Sequence, residues 1–278
     1  MNIILAKKEL APNVYEMVVR SPFVAHKCEP GQFVIVQADD KSERIPLTIG
    51  DFDPVAGTIT LVIQVLGYST KHLCLDFKAG DNIENIAGPL GNPSKMGLFG
   101  KIVLVGGGIG VAPIHPIARK YKQLGNHVIC IMGARSKEML TWEKELTAAS
   151  HELMVCTDDG SAGRKGFVTD ALREVLEHEK VAMVVAIGPV PMMKAVADLT
   201  RKFGVKTIVS LNAIMIDGTG MCGGCRVLID GESKFACCDG PEFDAHQVDF
   251  DNLMMRLGMY KEQESLEYGC GGQCKCLK

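Results

Sequence analysis

Four times between residues 100 and 210, a short apolar run gives way to a glycine-rich or polar turn and then to a segment with helical hydrophobic spacing. "KIVLVGG" leads into "VAPIHPIARKYKQLG", "HVICIMG" into "SKEMLTWEKELTAA", "HELMVCTDDG" into "FVTDALREVLEHE", and "VAMVVAIGP" into "PMMKAVADLTRKFG", with "KTIVSL" as a last strand. No other pattern constrains the chain as much. Parallel strands need a crossover between them, so the repeat predicts a parallel sheet with helices on both faces. Ligands of such sheets bind beyond the carboxyl ends of the strands.

The flanking segments have different rhythms. Up to about residue 98 the chain reads as short β-rich segments such as "VYEMVVRSPF", "PGQFVIVQA" and "TITLVIQVLG", with one short helix expected near "STKHLCLDF". Strands at this spacing predict a small antiparallel barrel. After Leu211 the periodicity stops and glycine and cysteine dominate, so this segment is expected to bury little apolar surface and to draw stability from a bound metal. The expected organisation is therefore 1–98, 99–210 and 211–278, in keeping with a 278-residue chain divided into compact units.

The bulk properties exclude some classes. With 30 basic against 33 acidic residues there is no excess charge to neutralise phosphates, and no nucleic-acid partner is expected. The apolar runs are too short and too broken by glycine to span a membrane, and "MNIILAKKELAP" lacks a signal-peptide core, so a cytoplasmic protein is expected. In a reducing compartment, clustered cysteines point to metal or redox chemistry, and 7 of the 11 lie between Cys222 and Cys276. Cys28, Cys74, Cys130 and Cys156 stand singly and read as small buried hydrophobes, and the methionines of "NLMMRLGM" read as packing.

"VGGGIGVAP" at 105–113 follows an apolar strand and opens a helix, where glycines let backbone N–H groups approach a pyrophosphate at a helix amino terminus. "GARS" at 133–136, "TDDGSAGRKG" at 157–166 and "GPVPMM" at 188–193 are expected at the same sheet edge. In the barrel, "RIPLTIGDF" places Arg44, Pro46 and Thr48 at alternate strand positions, and "LGYSTKHL" supplies Gly67, Ser69 and Thr70 ahead of a helix. A guanidinium and a helix amino terminus together can hold a diphosphate.

The cysteine segment reads Asp217, four residues, Cys222, two residues, Cys225, eleven residues, Cys237, then Cys238 and "DGPEF". By residue type alone this is an iron–sulfur loop with a carboxylate in one place, or a zinc site of three thiolates and Asp217. Cys270, Cys274 and Cys276 in "YGCGGQCKC" are compatible with a second metal site or with an inert tail.

These motifs, in this order, resemble the ferredoxin–NADP reductase superfamily: Arg-x-Pro-x-Thr, Gly-x-Ser-Thr, "GPLGNP" and "GGGIGVAP". The resemblance implies an antiparallel β-barrel FAD domain, an α/β parallel-sheet nucleotide domain and a C-terminal 2Fe-2S cluster segment. The cysteine segment resembles the flavin subunits of the dihydroorotate dehydrogenase electron-transfer type, which carry Cys where Asp217 stands. Asp in that place is similar to the small-subunit family of NADH-dependent reduced ferredoxin:NADP oxidoreductases, also called sulfide dehydrogenase subunits.

The resemblance further implies FAD at Arg44, Pro46, Leu47, Thr48, Ile63, Gln64, Gly67, Ser69 and Thr70. It implies NAD(H) at Gly107, Gly108, Ile109, Gly110, Val111, Ala112, Pro113, Gly133, Ala134, Arg135, Asp158, Gly188, Pro189 and Met192. It assigns the cluster to Asp217, Cys222, Cys225 and Cys237, with Cys238 as the adjacent candidate. The implied partner is a larger FAD and 4Fe-4S subunit reacting with NADPH and ferredoxin in an electron-bifurcating heterodimer. Electron-transfer subunits of dihydroorotate dehydrogenase, hydrogenase or sulfur reductase complexes share this build, and a zinc-stabilised nucleotide-binding regulatory module is a reading from another class. Arg135 suits a 2'-phosphate, whereas the family pattern assigns NAD(H). Ile187 stands where many superfamily members have Cys near the nicotinamide.

Overall fold

The computed structural model describes residues 2–260. The first part is a seven-stranded, nearly closed antiparallel sheet. Its elements are β1 (Asn2–Ala11), β2 (Val14–Arg20), α1 (Pro22–Lys27), β3 (Phe33–Gln37), β4 (Arg44–Asp53), β5 (Thr58–Gln64), α2 (Tyr68–Asp76), β6 (Asn82–Ile83) and β7 (Asn85–Leu90). The strand order is β6-β1-β2-β5-β4-β3-β7. Alternate positions point inward, so Met17, Val19, Val34, Val36, Ile59, Leu61 and Ile63 fill the barrel core. The helix expected near "STKHLCLDF" is α2, while α1, opened by Pro22 in the first turn, carries no sequence signal long enough to read.

The second part alternates as the sequence predicts. It contains β8 (Lys101–Gly107), α3 (Val111–Gln123), β9 (His127–Ala134), α4 (Glu143–Ala149), β10 (Glu152–Thr157), β11 (Arg164–Lys165), α5 (Val168–His178), β12 (Met183–Ile187), α6 (Val190–Lys202) and β13 (Thr207–Ser210). Strands β10, β9, β8, β12 and β13 are parallel in that spatial order. Both faces are covered: Ile102 and Leu104 of β8 pack in the cluster with α3 and α4, Val103 and Val105 in the one with α5 and α6.

One expected helix is interrupted. "SKEMLTWEKELTAA" forms a single 3-10 turn at Lys137–Met139, and α4 starts only after Trp142, which lies at φ 59°. The Trp142 indole N–H donates to Glu16 Oε2 at 2.7 Å, and its ring meets His115 edge-on. A contact with the barrel thus overrides local helix propensity.

The cysteine-rich segment departs from expectation. It forms the hairpin β14 (Arg226–Ile229) and β15 (Glu232–Phe235), then β16 (Glu242–Asp244) and α7 (Phe250–Leu257). β16 extends the parallel sheet by pairing antiparallel with β13, Val209 opposite Phe243. Cys225, Val227, Ile229, Cys237, Phe243, Phe250 and Leu253 are buried in the same core as Val103, Leu172 and Phe33. The segment therefore does bury apolar surface, because residues scattered among glycines meet at the edge of an existing sheet.

Candidate functional site

The glycine turn after β8 is built by close approach. A Cβ on Gly110 would collide with the Ile187 carbonyl oxygen, and one on Gly107 with the Met192 sulfur, so only glycine lets α3 start this close to β12. Gly108, at φ +56°, faces open space. Beyond the strand ends lies a cleft of about 560 Å³. On its sheet side it is lined by Gly107, Gly108, Ile109, Gly133, Ala134, Arg135, Asp158, Pro189 and Met192. On its barrel side it is lined by Pro12, Asn13, Val14, Gln64, Val65 and Leu66. Gly188 adjoins it, packed against Gly107 and Met192.

Ten of the nucleotide and flavin candidates thus come together, from Gln64 to Met192, in one cleft between the two sheets. Val111 and Ala112 are buried beneath it in the helix core, and Pro113 stands half-buried in the first turn of α3. Ile63 is buried in the barrel. The sequence reading missed Phe167, which lines the cleft although 63% exposed, and Asn13, whose φ of 61° turns the β1–β2 connection toward it. Phe167 directly follows the glycine-rich polar loop at 157–166, the one signal that could have pointed to it.

The remaining barrel candidates gather elsewhere. Arg44, Pro46, Leu47 and Thr48 lie on β4, paired with Gln37, Ile35, Val34 and Phe33 of β3. Ser69, in the first turn of α2, donates to Glu43 Oε2 at 2.9 Å, which brings the start of β4 to that helix end. An anionic oxygen is therefore already accommodated where a diphosphate is expected. The Thr70 hydroxyl oxygen accepts from the N–H groups of Leu66 and Gly67, so it caps the helix.

In the cysteine loop, the Cys225 and Cys237 sulfurs are 3.2 Å apart and buried, and Cys238 Sγ lies 3.6 Å from Cys237 Sγ. Burial first, and the Cys225 thiol second, push the Cys237 thiol well above its ordinary range. Cys222 is exposed, its sulfur accepting from Gly224 N–H. The Asp217 carboxylate accepts from Thr219 N–H and Cys222 N–H, both at 2.8 Å, which hold it below the usual carboxylate range. Among the described residues no three His, Cys, Asp or Glu side chains converge tightly enough to hold a metal ion, since Asp217 and Cys222 are turned to backbone amides. The donor set fits an iron–sulfur centre: four thiols and a carboxylate on a loop with positive-φ glycines at Gly218, Gly220 and Gly223. Cys270, Cys274 and Cys276 fall outside the described residues.

The four isolated cysteines are buried, and burial pushes the thiols of Cys28, Cys74 and Cys130 up to about 12. Met254 packs against the core, while Met255 and Met259 are exposed. Among the described residues no helix is long and apolar enough to cross a membrane.

An antiparallel barrel joined through a cleft to the strand ends of a parallel sheet, with a thiol-rich segment on the sheet edge, defines a ferredoxin-reductase-like oxidoreductase module. The oxidoreductase NAD-binding domain model matches residues 104–198, and the iron-sulfur cluster binding domain of dihydroorotate dehydrogenase B matches residues 212–249. A Thermotoga maritima protein described as a homolog of the dihydroorotate dehydrogenase B (NAD(+)) electron transfer subunit is 46% identical over 96% of this chain and 94% of its own length. The Bacillus velezensis dihydroorotate dehydrogenase B electron transfer subunit is 35% identical over 87% of this chain and 96% of its own. A solved chain from the NADH-dependent reduced ferredoxin-NADP oxidoreductase, determined for insight into flavin-based electron bifurcation, matches with TM-score 0.92 at 44% identity over 96% of each chain. The chain belongs to the family of dihydroorotate dehydrogenase B-type electron transfer subunits. Its thiol loop matches an iron–sulfur cluster binding domain, which favours that reading over zinc.

Proposed function

We propose that this chain takes up FAD on its barrel, NAD(H) along the strand-end cleft and a 2Fe-2S cluster at Asp217, Cys222, Cys225 and Cys237, as the electron-transfer half of a heterodimer. The observation that carries the reading is the single cleft in which Gln64, Val65 and Leu66 of the barrel face Gly107, Gly108 and Met192 of the sheet. Bound together, these groups would supply hydride exchange between nicotinamide and flavin and single-electron exchange with the cluster. The chain's own part is placement. Gly107 and Gly108 admit a dinucleotide backbone, the start of α3 favours its phosphates, and Arg135 offers a cation at the outer rim. Ser69 brings a hydroxyl to the first turn of α2, and Arg44, the residue after the Glu43 that Ser69 bonds, would offer a guanidinium to the flavin diphosphate. No side chain is called on to carry a proton.

For the partner, a larger subunit with FAD and 4Fe-4S clusters, reacting with NADPH and ferredoxin by electron bifurcation, is supported by the 44% identical solved chain and by Asp217 standing where the dihydroorotate type has Cys. The names of the relatives favour a second reading, in which the partner is a dihydroorotate dehydrogenase. Anaerobic purification with the natural partner, followed by iron, sulfide and flavin quantitation and titration with NADH and NADPH, tests both. A colourless protein without flavin or iron refutes the proposal. Dihydroorotate-dependent reduction of NAD+ by the complex selects the second reading.

A further inference from the structure

The cluster loop rests on the barrel from two sides. On one side Gly218, the neighbour of Asp217, packs so close to Ile35 of β3 and Leu90 of β7 that a Cβ would come within 2.7 Å and 2.9 Å of their side chains. On the other, the loop after β7 grips the backbone that follows Cys237. Asn92 N–H donates to Gly240 O at 2.7 Å, its side-chain amide donates to Cys238 O at 2.9 Å, and Ser94 donates to the buried carboxylate of Glu242 at 2.5 Å. Gly91 leaves no room for a Cβ between Phe33 and Pro241.

β3 also has a second neighbour. Ile35 is paired with Pro46 on β4, the strand expected to carry the flavin. One strand, with neighbours spaced about 5 Å apart, therefore separates that strand from the cluster loop. We propose that the "LGNPS" loop is a clasp that fixes the distance between the flavin strand and the cluster loop, with Asn92 as the positioning residue. This rests on the reading that the barrel holds flavin and the loop holds the cluster. Asn92 is suited to the task because it holds the carbonyls of Cys238 and Gly240 with side chain and main chain at once, and it is exposed, so its loss leaves no cavity.

The test uses the full chain loaded with flavin and cluster, comparing wild type with Asn92→Ala and Asn92→Ser. Iron, sulfide and flavin contents and the flavin bleaching rate on mixing with NADH are expected to stay at wild-type values. The subsequent reduction of the cluster, followed by its absorption and electron paramagnetic resonance, is expected to slow severalfold as the gap between flavin and cluster widens. Backbone hydrogen exchange at residues 238–240 is expected to rise in both variants. Unchanged cluster reduction overturns the proposal, and so does unchanged exchange, including in a variant that loses iron. Loss of iron from either variant also overturns it, since Asn92 would then be needed to retain the cluster rather than to set its distance. A wild-type chain that binds neither flavin nor iron refutes the functional reading instead, and the exchange comparison then decides the clasp by itself.

Discussion

Gly110 is the tightest point of the nucleotide turn, because the missing Cβ is what lets α3 lie against the Ile187 carbonyl. Gly110→Ala is expected to cost about 1–3 kcal/mol of stability through overpacking against backbone, read from urea unfolding midpoints. Gly108→Ala tests a different property. Its site is open but sits at φ +56°, so the cost is expected near 1–2 kcal/mol, from left-handed strain alone. Asp217→Cys is expected to keep iron bound and shift both the visible spectrum and the reduction potential. An unaltered spectrum and potential would show that Asp217 is not a ligand. The glycines and Asp217 stood out in the sequence because each is the odd residue in a recognisable spacing. Asn92 did not, since an asparagine between glycine and proline reads as turn chemistry until Cys238 and Gly240 are seen opposite it.

At the scale of elements, α2 is held by a histidine between two carboxylates. His72 Nδ1 is 2.7 Å from Asp76 and Nε2 is 2.8 Å from Asp39, an arrangement satisfied only when both nitrogens carry protons. Asp76 first and Asp39 second raise the His72 pKa above its ordinary value of about 6.5. A raised folded-state value means that the stabilisation is complete below the unfolded value and is lost as pH rises through the folded one. The thermal midpoint of wild type is therefore expected to exceed that of His72→Gln at pH 5 to 6, by an amount that shrinks to nothing as pH climbs past the raised value. A difference that persists at high pH would assign His72 to packing. The sequence showed α2 as a helix after a Gly-x-Ser-Thr turn. It could not show Asp39, which lies in the β3–β4 connection, 33 residues before His72.

Among the described residues the cysteine segment shares a core with the nucleotide sheet. Stripping iron with a chelator under reducing conditions is therefore expected to leave far-UV circular dichroism nearly unchanged, unlike small metal domains that unfold without metal. A collapse of the strand signal would restore the metal as the main support of residues 211–260. The cleft draws on both sheets, so NADH should stabilise them together. At about a hundred times the dissociation constant, a gain of about 2.7 kcal/mol in unfolding free energy is expected, read as a single shifted transition. Two transitions, only one of them shifted, would show that the cleft does not couple the sheets.

The sequence by itself determined the layered α/β domain, the β-rich domain before it and the types of ligand-binding atom along the chain. Those follow from local periodicity, from glycine where only glycine fits, and from residue chemistry at fixed spacing. The tertiary structure alone decided that Gln64 faces Gly107, that β16 completes the sheet edge, and that the barrel's terminal loop holds the cluster loop. Each of these joins residues far apart in the chain through packing or backbone hydrogen bonds, which any polar or apolar residue can make and which therefore leave no signature in the order of amino acids.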